Sequence, residues 1–299
     1  MQKRNIAIVL SALFLIFIAA SALGEEITRE FEKKSEIKIS TLNGDCEIAK
    51  GNTDKIIVKV ISDMRPGDSF KPIFRERGNV LKISEKIEEY SQGSIQWTLI
   101  VPDNTDIDFS SASGSLEISD LDGKFHGSTA SGDYSLAGCS GEFELSTASG
   151  DIRMTDCQGD FDVSSASGDC HVNKCQGAFS VSSASGNVRA RGVVLDDDSE
   201  FSSASGSANV ELGKTAEHDL NVGSASGNAM LDYMGNPMTG FIEMTAKRHG
   251  GRIVSDIKFD KEEDIVRSGD KYMRKTVTVK GDYPMVTVGT ATGTAKLRK

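Results

Sequence analysis

Residues 150–168 read Gly150-Asp151-Ile152-Arg153-Met154-Thr155-Asp156-Cys157-Gln158-Gly159-Asp160-Phe161-Asp162-Val163-Ser164-Ser165-Ala166-Ser167-Gly168. Polar and apolar residues alternate after each glycine, from Asp151 to Met154 and from Asp160 to Val163. That alternation, broken by Gly, predicts short strands with one buried face. The closing phrase, Ser-Ala-Ser-Gly or Thr-Ala-Ser-Gly, returns seven times and ends at Gly114, Gly132, Gly150, Gly168, Gly186, Gly206 and Gly227, with steps of 18 that lengthen to 20 and 21. Gly123, Gly141, Gly159 and Gly177 fall midway between the early ones. A fixed period of this length marks stacked supersecondary units.

Aligning the units gives four apolar columns. Two of them contain Leu116, Tyr134, Ile152, Cys170 and Val188, and Ile118, Leu136, Met154, Val172 and Ala190. The other strand of each unit supplies Ile107, Phe125, Phe143, Phe161 and Phe179, and then Phe109, Gly127, Leu145, Val163 and Val181. The expected fold is all-β: a single-domain parallel β-solenoid, a β-helix or β-roll with 18-residue coils, right-handed, and with longer capping coils at both ends. A buried Phe contributes roughly 1.5–3 kcal/mol, so the Phe column is expected to be the main stabilising element. The glycines are expected at corners of positive φ, Ala at a crowded inner corner, and the flanking Ser and Thr in hydrogen bonds to turn backbone and to the next coil.

Two other periodic folds fit poorly. A hexapeptide helix needs an apolar residue every sixth place, and stepping on from Phe143 meets Ser149 and Thr155. The calcium-binding nonapeptide roll needs paired glycines before its Asp, and here Asp follows a single Gly. Asp133, Asp151 and Asp169 would stack one coil apart and repel by only about 0.9 kcal/mol per pair in water, so no structural calcium is expected.

The chain has 299 residues and a formal charge of −10. Lys3-Arg4, the apolar run Ile6 to Ala20 and the small residues to Gly24 read as a signal peptide over residues 1–24; the alternative is an uncleaved anchor. Its removal takes the formal charge to −12. No Cys near that point offers a site for lipid attachment, and no later run is apolar enough to span a membrane. Residues 25–106 then read as an N-terminal capping β region, 107–234 as the repeat and 235–299 as a C-terminal capping β region. Thr41-Leu42-Asn43-Gly44 and Thr290-Ala291-Thr292-Gly293 echo the repeat phrase in the two caps. Asp63 to Glu76, with two prolines, reads as a loop. An acidic chain without basic runs argues against a nucleic-acid partner.

Cys139, Cys157 and Cys175 fall in one column with Leu121 and Val193. Packing, one axial disulfide and a thiolate metal site all remain open for them, with packing favoured because buried Cys behaves as a small apolar residue. Asp196-Asp197-Asp198 reads as a solvated acidic turn. The repeats with their following Asp, the Val101-Pro102 approach to the array and the terminal glycine phrase resemble the bacterial putative-adhesin family of β-strand repeats, whose function is unknown. The resemblance covers roughly 30–299 and implies a secreted or envelope-attached solenoid with no catalytic residues to carry over. The Asp is missing after Gly114, Gly186, Gly206 and Gly227, which weakens any role for it.

No nucleophile elbow, P-loop or zinc-protease motif occurs, and the four histidines share no metal-ligand spacing. Arg153, His171 and Arg189 form an outward column beside Asp151 and Asp169, the one candidate binding face. The expectation is a non-enzymatic, extracytoplasmic adhesin-like module that needs no cofactor and binds a cell-envelope protein or polysaccharide. A structural or sensory scaffold of an envelope-stress system is the alternative, and a polysaccharide-processing β-helix enzyme the third.

Overall fold

A computed structural model gives the structure of residues 25–66, 68–88 and 91–299. The expected signal peptide, residues 1–24, lies outside the described residues. Those residues fold into strands and turns, without a helix among them. Each regular coil gives one short and one long strand, Ile152–Thr155 and Gln158–Ser165 in the coil quoted above. Short strands pair with short strands, so Tyr134, Ile152, Cys170 and Val188 lie side by side. Long strands pair with long strands and align Phe125, Phe143, Phe161 and Phe179. The register step is 18 residues through these rungs, 20 at Ser180 opposite Glu200 and 21 at Glu200 opposite Asn221.

All of these pairings are parallel, and their inner columns meet in one narrow core. Tyr134 of the short-strand layer reaches across to the long-strand layer, where a Cβ on Gly127 would stand 2.6 Å from its ring. The absence of a side chain at Gly127 therefore makes room for that ring, which also meets Phe109 edge-on at 6.4 Å. Val188–Leu195 bends round a corner and pairs in both layers, making the sheet continuous.

The turn phrase makes the expected Ser and Thr hydrogen bonds to turn backbone and to the next coil, but its Ala and Gly play other parts than expected. From Thr129 onward its first residue is buried, and it bridges two coils: Ser165 Oγ accepts the Gly168 N–H at 2.8 Å and donates to the Gly150 carbonyl at 3.1 Å. Ser183 repeats this with Gly186 and Gly168, both at 2.9 Å. Each such bond contributes on the order of 1 kcal/mol net. The crowded inner place thus belongs to Ser or Thr, whereas Ala148, Ala166 and Ala184 are exposed on the outside of the corner. Nor does Gly150 need a positive φ. A Cβ there would lie 1.9 Å from the Gly132 carbonyl oxygen, so close approach of successive coils demands Gly. The midway Gly159 has both constraints, with φ of 138° and a Cβ position 1.8 Å from the Gly141 oxygen.

The ends depart from a purely parallel solenoid, and the sheet as a whole is mixed. The strands Glu36–Thr41 and Asp45–Lys50 form no outermost cap; they lie between the first repeat rung and the strands Val80–Ile87 and Ile95–Val101. Beyond these, Phe70–Arg77, Lys55–Ser62 and Glu25–Glu32 add antiparallel pairings. The stretch read as a loop therefore holds the strand Phe70–Arg77, whose Pro72 is tolerated at a sheet edge. At the other end Met285–Thr290 lies between Leu220–Ser224 and Gly240–Lys247, and Gly293–Arg298 between Ala229–Asp232 and Gly251–Ser255. Asp270–Val279 and Lys261–Arg267 complete that cap in antiparallel fashion. Hairpins cover an end through short connections, which a parallel crossover cannot do.

The five cysteines are free and buried. Cys139 and Cys157 direct their thiols at the carbonyls of Ala137 and Thr155, both at 3.4 Å, within the column that also buries Leu121 and Val193. Hydrogen bonding to Cys157, with burial, pushes the Cys139 and Cys175 thiols up.

Candidate binding faces

The outer face of the short strands carries the column expected from sequence. Ser135, Arg153, His171, Arg189 and Asn209 occupy one position on successive rungs. Alternation dictates this, because Ile152 and Met154 point inward on either side of Arg153. The cations are partly neutralised from the adjoining turn. Arg153 Nη2 meets Asp151 Oδ2 at 2.7 Å, Arg189 Nη1 meets Asp169 Oδ2 at 2.6 Å, and His171 Nε2 lies 3.9 Å from the same oxygen. Burial, then Arg189 and Arg153, hold the His171 imidazole below its ordinary range, against the pull of Asp169. Burial works against ionisation of Asp169. The Asn187 backbone N–H, the Arg189 guanidinium and the Asn187 side chain outweigh it and keep that carboxyl below the usual range.

The Asp column itself is a backbone ladder. Asp133 Oδ1 accepts the N–H of Asp151 at 2.7 Å, Asp151 Oδ1 that of Asp169 at 2.9 Å, and Asp169 Oδ1 that of Asn187 at 2.7 Å. Where Asp is missing the ladder continues, since Asn187 Oδ1 accepts from Ser207 at 3.0 Å and Asn228 Oδ1 from Thr294 at 2.9 Å. The position calls for a short side chain with an acceptor oxygen, which Asp, Asn and Ser all provide.

Four clefts lie away from Arg153, His171 and Arg189. One of about 270 Å³ sits on the same face near Asp45, Glu117 and Asp133. Three others, of about 230, 270 and 430 Å³, follow one another along the outer face of the long strands. That face was not singled out from the sequence. Its signal was present in the outward residue between the two apolar residues of each long strand, which is His126, Glu144, Asp162, Ser180 and then Glu200. His126 Nδ1 and Glu144 Oε2 are 2.9 Å apart. At the corner, the lengthened turns bring ligand atoms of Asp197, Asp198 and His218 within 4.8 Å of one another, a convergence that their separation in sequence concealed. All three are at least partly exposed.

Among the described residues no helix is long and apolar enough to cross a membrane. A comparison with curated proteins gives no significant match. Among solved structures, the chain is similar to a "putative lipid binding protein" of Parabacteroides distasonis, with 15% identity, 92% of this chain and 96% of that one covered, and a TM-score of 0.45. It is similar also to a "putative adhesin" of Bacteroides fragilis, with 13% identity, 91% and 97% coverage and a TM-score of 0.40. Residues 34–251, which span the inserted N-terminal rung, the whole repeat and the first strand of the closing cap, match the family described as Toastrack DUF4097, and the chain belongs to that family.

Proposed function

We propose that this chain is a non-enzymatic, extracytoplasmic binding module of the cell envelope, adhesin-like in holding its partner through many weak contacts along one face. On this reading the 18-residue coils wind as a parallel β-solenoid between mixed caps, and the partner is a cell-envelope protein or polysaccharide. The supporting observation is the placement of Arg153, His171 and Arg189 on three consecutive rungs. A ladder of like groups at a fixed rise presents the same contact repeatedly, and linked weak contacts gain strength from effective concentration. The test is retention of the purified protein on isolated envelopes, with the triple variant Arg153→Ala, His171→Ala, Arg189→Ala beside it. Retention should fall without loss of fold, since all three side chains point outward. Cleavage of an envelope polysaccharide by the purified protein, abolished by the same triple change, would instead identify an enzyme.

A further inference from the structure

We propose that the outer face of the long strands is a docking surface for an extended, cationic polypeptide segment. The inference deepens the binding-module reading by naming a partner chemistry, and it concerns the face opposite Arg153. The three clefts on this face share residues: Glu144 and Asp162 line the first and second, and Ser180 and Asp198 line the second and third. They join into one shallow groove running along the axis, from Asp108 to Thr287.

The groove is lined by carboxylates, of which Asp108 is paired with Lys38 at 2.9 Å, Glu142 with Lys124 at 2.6 Å, and Glu144 with the groove's one imidazole, His126. Asp160, Asp162 and Glu200 are exposed and have no ion-pair partner among the described residues. Glu144 and Asp162 lie opposite each other on neighbouring strands about 4.8 Å apart and repel one another, and a ligand bearing spaced positive charges relieves that repulsion while pairing also with Asp160 and Glu200.

The distribution of these groups argues for a polymer over a single cation. Ligand atoms of three such residues converge only at the Asp197, Asp198 and His218 corner among the described residues, whereas those on the open face stand apart on separate rungs. A cationic sugar chain fits less well, because the rings of Phe125, Phe143, Phe161 and Phe179 are buried and offer no stacking platform. Ser110, Ser128, Ser146 and Ser164 run beside the acids and supply hydroxyls able to donate to, or accept from, a peptide backbone.

The experiment is fluorescence anisotropy with a labelled oligolysine of about ten residues, roughly 33 Å long when extended. Wild-type protein should bind it saturably, and binding should weaken steeply with salt. The variant Asp160→Asn, Asp162→Asn, Glu200→Gln should bind roughly tenfold more weakly or worse. A control variant, Glu26→Gln, Glu30→Gln, Glu32→Gln, removes the same charge from a distant strand and should bind as wild type does. Equal loss in both variants, no binding of oligolysine, or binding of a glucosamine oligomer in its place would each overturn the proposal. Envelope retention that still depends on Arg153, His171 and Arg189 in any of those cases would leave the binding-module reading standing.

Discussion

Phe143 and Phe161 lie face to face, with ring centroids 4.8 Å apart and planes 3° from parallel. Aromatic pairs left to themselves prefer offset or edge-on contact. Here the strand spacing imposes the stack, and Phe125 and Phe179 extend it at 5.1 and 4.7 Å. Each inner ring therefore has a neighbour on both sides, and a deletion has no mobile side chain beside it to fill the gap. Phe161→Ala is expected to cost about 3–5 kcal/mol, and Phe161→Leu clearly less. Denaturant unfolding monitored by circular dichroism measures both. Equal, small losses would show that the column is not tightly packed.

Gly150 and Gly223 separate two roles of glycine. A Cβ on Gly150 would press on the Gly132 oxygen at 1.9 Å, whereas one on Gly223 would meet nothing within 4 Å. Gly150→Ala should force neighbouring coils apart and lower the melting temperature by many degrees. Gly223→Ala should be neutral or stabilise by about 0.4–1 kcal/mol through the unfolded chain. Thermal unfolding of the pair decides, and similar losses in both would contradict the close-approach account.

The acceptor ladder predicts how Asp151 tolerates change. Asp151→Asn keeps an Oδ1 for the Asp169 N–H and should leave stability nearly unchanged, whereas Asp151→Ala leaves that donor without its partner and should cost about 1–2 kcal/mol. Because backbone N–H groups already engage these carboxylates, calcium and chelator should give melting temperatures within about 2 °C of each other. A large rise with calcium would show that the turns hold a cation.

Much of this was legible in the sequence because alternation fixes which side of a strand a residue takes. The inner columns and the Arg153, His171, Arg189 column follow from that rule and the repeat length alone. The corner was less legible: Ala166 looks apolar and so internal, yet the turn requires Ser165 inside, where its hydroxyl links two coils. Least legible was the order of rungs at the ends. Nothing local to Ile37 says that it pairs with both Leu81 and Ile107, since that choice depends on strands 44 and 70 residues away.

His171 gives the chain a pH response of known sign. Its imidazole is held down by burial and by Arg189 and Arg153, so the folded chain favours the neutral form. The associated stability is fully present above the ordinary imidazole range and is lost as pH falls through that range towards the folded midpoint. Carboxylates held low, Asp169 among them, lose their contribution only at more acid pH. Wild type should lose more thermal stability than His171→Asn does on acidification from about pH 7.5 to pH 5.5. In an NMR titration the His171 midpoint should rise in Arg189→Gln, which removes a neighbouring cation and frees Asp169. An unchanged midpoint would mean that burial alone sets it.

The last residues of the chain are inserted between earlier ones. Val286 pairs with Leu220 on one side and Ile242 on the other, and Ala295 likewise joins Ala229 to Ile253. In strand pairing, residues 240–279 thus join the repeat through a strand pair made after them in sequence. Deleting residues 285–299 should therefore strip partners from two rungs at once and expose Val222, Leu231, Ile242 and Met244, all buried in the intact chain. In a stack of nearest-neighbour units such a break uncouples everything beyond it. Hydrogen exchange is the direct measurement: amides of Ile242 and Met244 should lose protection together, while those around Phe143 and Phe161 keep theirs. Protection at Ile242 that survives the deletion would show that the closing cap docks on the repeat by itself and that the inserted strand is dispensable.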